Sequence, residues 1–388
     1  MNLDTLTKFT EHFSSEQLIV NADRCLNARF KQIDCHICVD ACPVDAIHLE
    51  GRQVRLDSDS CARCGACVWQ CPTEVFAQPS GLKSRLRETV QAVGNAPVEL
   101  RCPQVKDDKT IISDATIIQH SRCLAELSPA QLIELAADRP VWLNDQACAA
   151  CPLKDAHASI LRAGREANRW RAAFDRPRHI HPLTTDADQN ARPHAARVFD
   201  SANPPSDRRA FFKMFTRSLV EAGASAAKSN DTDQVKPVDQ RLPRHVPTER
   251  ARLLSAIGKL GQPQSVPLDL PRVQVKGPDC TACGLCARFC PSGALKYMSV
   301  DEEFALVFQP KLCLGQVCDI CVLACPERAV VTQPAVVSAA LLAKKPLIVG
   351  ALAKCQKCGE PIAKGSDLPT TCFACRPQNI AGDLLASF

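Results

Sequence analysis

Large apolar side chains are scarce in this 388-residue sequence: aromatic residues make up 5%, with one tyrosine (Tyr297), three tryptophans and three methionines. A chain of this length ordinarily divides into two or three domains, each needing its own core. Something besides hydrophobic burial must therefore hold the modules together. Charge of one sign is lacking as well. With 47 basic and 42 acidic side chains the formal net charge is +5, too balanced for a polyanion binder and unlike an acidic tail. The longest apolar stretch, Ala335 to Ala353, is broken by Lys344, Lys345 and Pro346, short of the ~20 uninterrupted residues of a membrane span. The amino-terminal MNLDTLTKFTEHFSSEQ carries acids and no apolar h-region, so neither a secretory signal nor a membrane anchor is read there. No phosphate-cradling GxGxxG precedes a helix, and no Ser/His/Asp or paired-carboxylate set stands out, so no residue is assigned a catalytic role. The expected compartment is cytoplasmic, where thiols stay reduced and grouped cysteines are metal ligands more often than disulfides.

Cysteine is what the sequence has in quantity. Its 24 cysteines fall into four territories: eight in residues 25–71, four in 102–151, eight in 280–325 and four in 355–375. Two regular runs stand out, Cys61-x2-Cys64-x2-Cys67-x3-Cys71-Pro72 and Cys280-x2-Cys283-x2-Cys286-x3-Cys290-Pro291. Each has a partner with a widened first gap, Cys25-x9-Cys35-x2-Cys38-x3-Cys42-Pro43 and Cys313-x4-Cys318-x2-Cys321-x3-Cys325-Pro326. Tight x2 loops let three successive sulfurs converge on one cluster while backbone amides point inward. Zinc clusters or inert buried thiols are the alternative, and four Cys-Pro endings in register argue against both.

On these runs both eight-cysteine segments resemble the bacterial 2x[4Fe-4S] ferredoxin family, joined as in a polyferredoxin. In that family the cysteine before proline ligates the other cluster of its module. The resemblance therefore implies four ligand sets: Cys25, Cys35, Cys38 with Cys71; Cys61, Cys64, Cys67 with Cys42; Cys280, Cys283, Cys286 with Cys325; and Cys313, Cys318, Cys321 with Cys290. The widened gaps are similar to those of ferredoxin-like proteins accompanying molybdoenzymes, such as nitrate reductase accessory ferredoxins. The longest gap leaves a three-cysteine site without Cys25 as an alternative. The intervening VDAIHLEGRQVRLDSDS and GALKYMSVDEEFALVFQPKL are expected to form hairpins.

Residues 97 to 174 read instead as an alternating β/α unit. PVELRC, TIISDATIIQH and VWL (Val141 to Leu143) are expected strands, Ser128-Pro129-Ala130-Gln131 is a capping box opening a helix to about Asp138, and another helix is expected after Cys151-Pro152 toward Phe174. Cys102, Cys123, Cys148 and Cys151 fall where strands end, the edge at which open α/β sheets bind ligands, and are expected to share a fifth iron-sulfur cluster. The alternative is a redox dithiol or zinc half-site at Cys148 and Cys151 with two core thiols. From about Arg176 to Pro278 the chain is cysteine-free and rich in Pro, Asp, Arg and His, which reads as a linker. Two helical islands are expected in it, Arg208 to Ala227 and Thr248 to Leu260, the second capped by Thr248. The twin-arginine-like Asp207-Arg208-Arg209-Ala210-Phe211-Phe212-Lys213 is too internal for an export signal and is read as part of an amphipathic helix.

In the tail, Cys355-x2-Cys358 and Cys372-x2-Cys375 stand thirteen residues apart, which resembles a zinc ribbon. Zinc is the expected metal, rubredoxin-type iron the alternative. His36 and His157 are read as solvated groups or neighbours of ligands.

The expected fold is an α+β multidomain chain. Its parts are a ferredoxin-like module over 1–80, an α/β domain over 95–175, a linker with short helices over 176–270, a second module over 271–335 and a zinc-ribbon-like tail over 350–388. The expected function is single-electron transfer through several [4Fe-4S] clusters to or from a partner oxidoreductase, with no membrane span and no nucleic acid. Two alternatives remain. One is an accessory protein that assembles a molybdoenzyme such as a nitrate reductase or formate dehydrogenase. The other is an iron-sulfur regulator, which would need a basic stripe the sequence does not carry.

Overall fold

The computed structural model describes residues 18–78, 82–188, 190–202, 244–261, 272–315, 317–333, 343–365 and 367–376. Each eight-cysteine segment is built on an antiparallel hairpin, Ile47–Glu50 with Gln53–Leu56 and Leu295–Val300 with Glu303–Phe308. Alternation decides which face turns inward: Ile47 and Val54, or Leu295, Phe304, Leu306 and Phe308, are buried. A second antiparallel pair ties the start of each module to its end, Ile19–Val20 to Phe76–Ala77 and Arg272–Val275 to Val330–Gln333. The cysteine loops lie between these pairs and lead into one-turn helices, Ile37–Asp40, Ala66–Gln70, Leu285–Arg288 and Ile320–Leu323.

Between the modules lies a wholly parallel five-stranded sheet in the order Val198–Asp200, Thr116–Gln119, Val98–Arg101, Val141–Asn144, Ile180–Pro182. The Val98–Arg101 strand is buried along its whole length, as befits a central parallel strand. Val98 and Leu100 share a core with the helices Pro129–Leu135 and His157–Ala172. Glu99 and Arg101, alternating with them, carry a buried ionic network: Arg101 Nε donates to Glu99 (2.6 Å), Arg101 Nη1 to Asp107 (2.7 Å) and Asn144 Nδ2 to Glu99 (2.8 Å). The Pro129–Leu135 helix opens on a complete capping box, Gln131 N donating to Ser128 Oγ and Ser128 N to Gln131 Oε1.

The structure redraws the expected domain boundaries. Ile180–Pro182 and Val198–Asp200 are edge strands of the sheet although both fall in the stretch read as linker, so the α/β unit reaches beyond residue 175 to residue 200. A three-residue parallel edge strand needs few apolar side chains, here chiefly Ile180 with Leu183 after it, and average composition over a hundred residues hides so short a run. Thr248–Gly258 is a helix as expected, but Pro247 is its cap residue and makes no side-chain cap. Its Leu253, Ala256 and Ile257 join the α/β core, so this segment too is domain rather than linker. The Arg208–Ala227 island and its twin arginines lie outside the described residues. TIISDATIIQH is not one strand; it breaks at Asp114 (φ 56°), leaving Lys109–Thr110 and Thr116–Gln119 in different sheets.

The tail is likewise not a separate domain. Lys345–Lys354 pairs with Glu303–Phe308 of the second module and then with Pro361–Ala363, making one four-stranded sheet. Among the described residues no helix is long and apolar enough to cross a membrane.

Candidate metal centres

The crossover of the two halves brings the module sulfurs together in four quartets. Cys25, Cys35 and Cys38 gather with Cys71, and Cys61, Cys64 and Cys67 with Cys42. Cys280, Cys283, Cys286 and Cys325 line one cavity, walled by Tyr297, Phe304 and Leu306; Cys290, Cys313, Cys318 and Cys321 line another. The Cys-Pro cysteine of each quartet, Cys71, Cys42, Cys325 or Cys290, identifies its centre. The nine-residue gap after Cys25 is closed by a one-turn helix, Leu26–Arg29. Asn27 clamps it, donating to Cys35 O (2.9 Å) and accepting from Cys35 N (2.8 Å). Cys25 is thereby held buried beside the other three.

A shared backbone device shapes these loops. The third residue after each module cysteine that precedes proline, Asp45, Glu74, Gly293 or Arg328, is left-handed, with φ of 50, 53, 69 and 51°. Three of these turns aim the next amide at sulfur: Ala46 N donates to Cys42 Sγ (3.2 Å), Val75 N to Cys71 Sγ (3.4 Å) and Ala329 N to Cys325 Sγ (3.3 Å). Non-glycine residues pay for left-handed backbone with about 1–2 kcal/mol, a cost such sulfur contacts offset. Burial, and then the neighbouring thiols, push Cys38, Cys283 and Cys318 up to about 12 and Cys321 well above its ordinary value. Four thiolates crowded in a low dielectric become stable only around a polycationic core, and an all-sulfur donor set suits iron-sulfur clusters. The residues therefore fit [4Fe-4S] clusters.

In the α/β unit, Cys102, Cys123, Cys148 and Cys151 line one cavity of about 370 Å³ with Arg122, Asn144 and His157. It lies at the carboxyl ends of three adjacent strands. Connections leave Val98–Arg101 for one neighbour and return past it to the other, so this is the switch point where such sheets bind ligands. Burial first, then the nearby thiols, push Cys123 and Cys148 up to about 12. The Cys148 loop is fixed by Asp145, which accepts from Thr184 N (2.9 Å), Thr184 Oγ1 (2.5 Å) and His157 Nε2 (2.8 Å). Cys102 and Cys123 share the wall with Cys148 and Cys151 rather than lying apart in the core.

The tail quartet is tighter. Cys355, Cys358, Cys372 and Cys375 place their sulfurs within 4.8 Å of one another, the one such group of histidine, cysteine and carboxylate ligands among the described residues. Cys358 Sγ and Cys372 Sγ are 3.6 Å apart. Four thiolates at ~2.3 Å from one tetrahedral ion stand ~3.8 Å apart, so this geometry fits a single ion rather than a cluster. Cys372 N donates to Cys355 Sγ (3.3 Å), and that bond, with those of the first knuckle, lowers Cys355 to about 6. Arg376 ties the tail to the second module through a bidentate pair with Glu327 (2.6 and 2.8 Å).

The centres adjoin in sequence. At the Cys42 centre, Cys64 is within electrostatic reach of Cys123, and Trp69 Nε1 of the same module donates to Ala125 O (2.9 Å). Cys67 senses Cys38 of the Cys71 centre. Cys35 of that centre and Cys318 of the Cys290 centre pack on one small core of Leu26, Phe30, Ile320 and Ala324. There Phe30 meets Phe289 edge-on at 6.1 Å, and Arg29 Nε donates to Phe289 O (3.3 Å). Cys321 in turn senses Cys286 of the Cys325 centre. His36 stands apart, exposed and paired with Asp34 (2.7 Å).

Several residues that hold this arrangement carried no pattern in the sequence: Asn27, Glu74 and Arg250. Glu74 accepts from Thr248 Oγ1 (2.7 Å), Glu249 N (2.6 Å) and His245 Nε2 (3.0 Å), so the first module supplies the anionic cap that the Thr248–Gly258 helix lacks. Arg250 donates to the carbonyls of Lys311 (3.1 Å) and Cys313 (2.7 Å).

Paired quartets of this kind define an iron-sulfur dicluster protein, and comparison with known proteins agrees. The 4Fe-4S dicluster domain model matches residues 32–75 and 279–329. A ferredoxin of Mycolicibacterium smegmatis is 30% identical over 84 residues, 22% of this chain and 74% of its own length. One from Alicyclobacillus acidocaldarius subsp. acidocaldarius is 37% identical over 54 residues, 14% of this chain and 69% of its own. A 7Fe ferredoxin of Hydrogenibacillus schlegelii is 51% identical over 39 residues, 10% of this chain and 50% of its own. The chain belongs to the ferredoxin family, carries [4Fe-4S] clusters and has an iron-sulfur electron-transfer role.

Proposed function

We propose that the chain is a polyferredoxin with five [4Fe-4S] centres and a zinc ion in its tail, carrying single electrons between the α/β unit and the second module and exchanging them with a partner oxidoreductase. The observation that carries this reading is the unbroken succession of adjoining quartets: Cys102 with its three partners, then the Cys42, Cys71, Cys290 and Cys325 centres. Each cluster, when bound, supplies a one-electron couple and no bond-making chemistry. The protein's part is to hold the thiolates, aim amides at sulfur and keep adjacent centres close, since electron tunnelling weakens steeply with distance. The joint between the modules is apolar and closed to bulk solvent at its centre: Phe30, Ile320 and Ala324 are fully buried there. The tail quartet suits zinc, a redox-inert ion whose place here is to pin the last strands of the second module's sheet.

The test is anaerobic purification with iron, acid-labile sulfide and zinc counted per chain, and EPR of the dithionite-reduced protein. About 20 irons and one zinc follow from this stoichiometry. About 16 irons would remove the α/β centre from the path, and a tail that binds iron instead of zinc would refute that assignment.

A further inference from the structure

We propose that Arg122 tunes the centre formed by Cys102, Cys123, Cys148 and Cys151, directing a buried guanidinium N–H at it and raising its reduction potential. This rests on the reading of that quartet as a cluster site.

Arg122 is 9% exposed and lines the same cavity as the four cysteines. Its Nη1 is buried and has no hydrogen-bond partner. A guanidinium is always charged, and burying one of its donors without an acceptor is costly enough to be rare. Glu126 is within its electrostatic reach, yet both carboxylate oxygens of Glu126 are engaged, Oε1 by His120 Nε2 (2.6 Å) and Oε2 by Gln78 Nε2 (2.6 Å). The remaining anionic partner on this cavity wall is the sulfur quartet itself, where a cluster with four thiolates would present acceptor sulfurs and negative charge. Hydrogen bonds and positive charge at such sulfurs favour the reduced state.

The other centres are surrounded differently. Glu327 lies near Cys280 and Cys283, where Arg376 pairs with it and itself reaches Cys283; Asp40 lies near Cys35; and Asp319 lies near Cys313 and Cys318, with Arg29 in reach of Cys290 and Cys318. At the Cys325 and Cys290 centres acid and cation stand together, so their effects on an added electron oppose one another. Arg250 lies beside Cys313, but its Nε and Nη2 are committed to the carbonyls of Lys311 and Cys313. At the α/β centre the opposing charge is Asp145, near Cys148, and its two oxygens are taken by Thr184 and His157. The centre at one end of the succession thus has a buried guanidinium N–H without a protein acceptor on its cavity wall.

The experiment is an EPR-monitored potentiometric titration of the full-length protein and of Arg122→Met, Arg122→Lys and Cys148→Ser, each with its iron count. In the wild type the signal of this centre is the one altered in Cys148→Ser. In Arg122→Met the iron count should hold while that signal alone moves to lower potential, by about tenfold in its reduction equilibrium, which is about 59 mV for one electron. Arg122→Lys, which keeps the charge and loses the planar fork, should shift less in the same direction, and it decides the matter if the Met variant loses iron. A full iron count with the signal unmoved in both Arg122 variants overturns the role of Arg122 and leaves the five-centre reading intact. A wild-type count of about 16 irons, unchanged by Cys148→Ser, overturns both.

Discussion

Gly65 presses the first module against Glu126 of the α/β unit, and replacing it with alanine measures how far the two behave as one body. Gly65 precedes the Ala66–Gln70 helix with φ +76°, and a Cβ there would stand 2.5 Å from Glu126 Cβ and 3.2 Å from Glu126 Cα. No side-chain rotation relieves a clash with those atoms, so the Glu126 backbone must move. Gly51, in the hairpin turn of the same module, has a similar φ of +61° with nothing within 4 Å of an added Cβ. Gly51→Ala therefore carries the left-handed cost alone, about 1–2 kcal/mol. Gly65→Ala carries that and the loosening of Glu126, whose buried bonds to His120 and Gln78 are worth about 1–3 kcal/mol each when a partner is left unsatisfied. The expected gap between the two variants is about 2–6 kcal/mol, read from guanidinium midpoints followed by the visible cluster absorption under anaerobic conditions. Magnetic coupling between the Cys42 centre and the α/β centre should weaken in Gly65→Ala and persist in Gly51→Ala. Equal midpoints and unchanged coupling in the two variants would refute the argument that this contact joins the units.

Asn27→Ala removes both bonds that close the long loop onto Cys35; it should make the Cys71 centre labile and lower the iron count by about four per chain, the other EPR signals remaining, and an unchanged count after prolonged dialysis would count against the clamp. Phe30→Ala empties a fully buried position against Phe289 and should destabilise the joint between modules by about 3–5 kcal/mol, with loss of spin coupling between the Cys71 and Cys290 centres; preserved coupling would contradict the proposed path. Glu74 is buried, which raises its pKa, but donation from Glu249 N, Thr248 and His245 outweighs burial and leaves the carboxyl below its ordinary value. A depressed folded value means its contribution is complete above the unfolded pKa of about 4.3 and disappears as pH falls through the folded one. Amide protection in residues 248–258, taken relative to intrinsic exchange at each pH, should therefore fall on acidification below about pH 4, while Glu74→Gln should be less protected at neutral pH and respond less to acid. Matching acid profiles in wild type and variant would exclude Glu74 as the cap.

Much of the site was legible before any coordinates. Spacing is a local property, and Cys61-x2-Cys64-x2-Cys67 states that three sulfurs share a short loop whatever lies around it. The hairpins at Ile47–Leu56 and Leu295–Phe308, and the capping box at Ser128, were equally local. Gathering of the α/β quartet was within reach because strand ends in a parallel sheet lie together. What misled was averaging: Ile180–Pro182 and Val198–Asp200 sit in proline-rich, polar surroundings, and their partners in the sheet are about 40 and 80 residues upstream along the chain. Pairing at that range leaves no mark on a short window of sequence.

The amino-acid sequence by itself determined that this is an iron-sulfur chain with two copies of a dicluster module, because thiolate chemistry and loop length are encoded residue by residue. Only the tertiary structure decided that the Thr248–Gly258 helix is capped by Glu74 from the first module, that the tail extends the sheet of the second, and that Phe30 and Phe289 meet between two quartets. It also decided that Arg122 lies buried among four cysteines. These are consequences of packing, in which residues far apart in the chain are chosen as neighbours by burial, shape and charge, and no local pattern carries that choice.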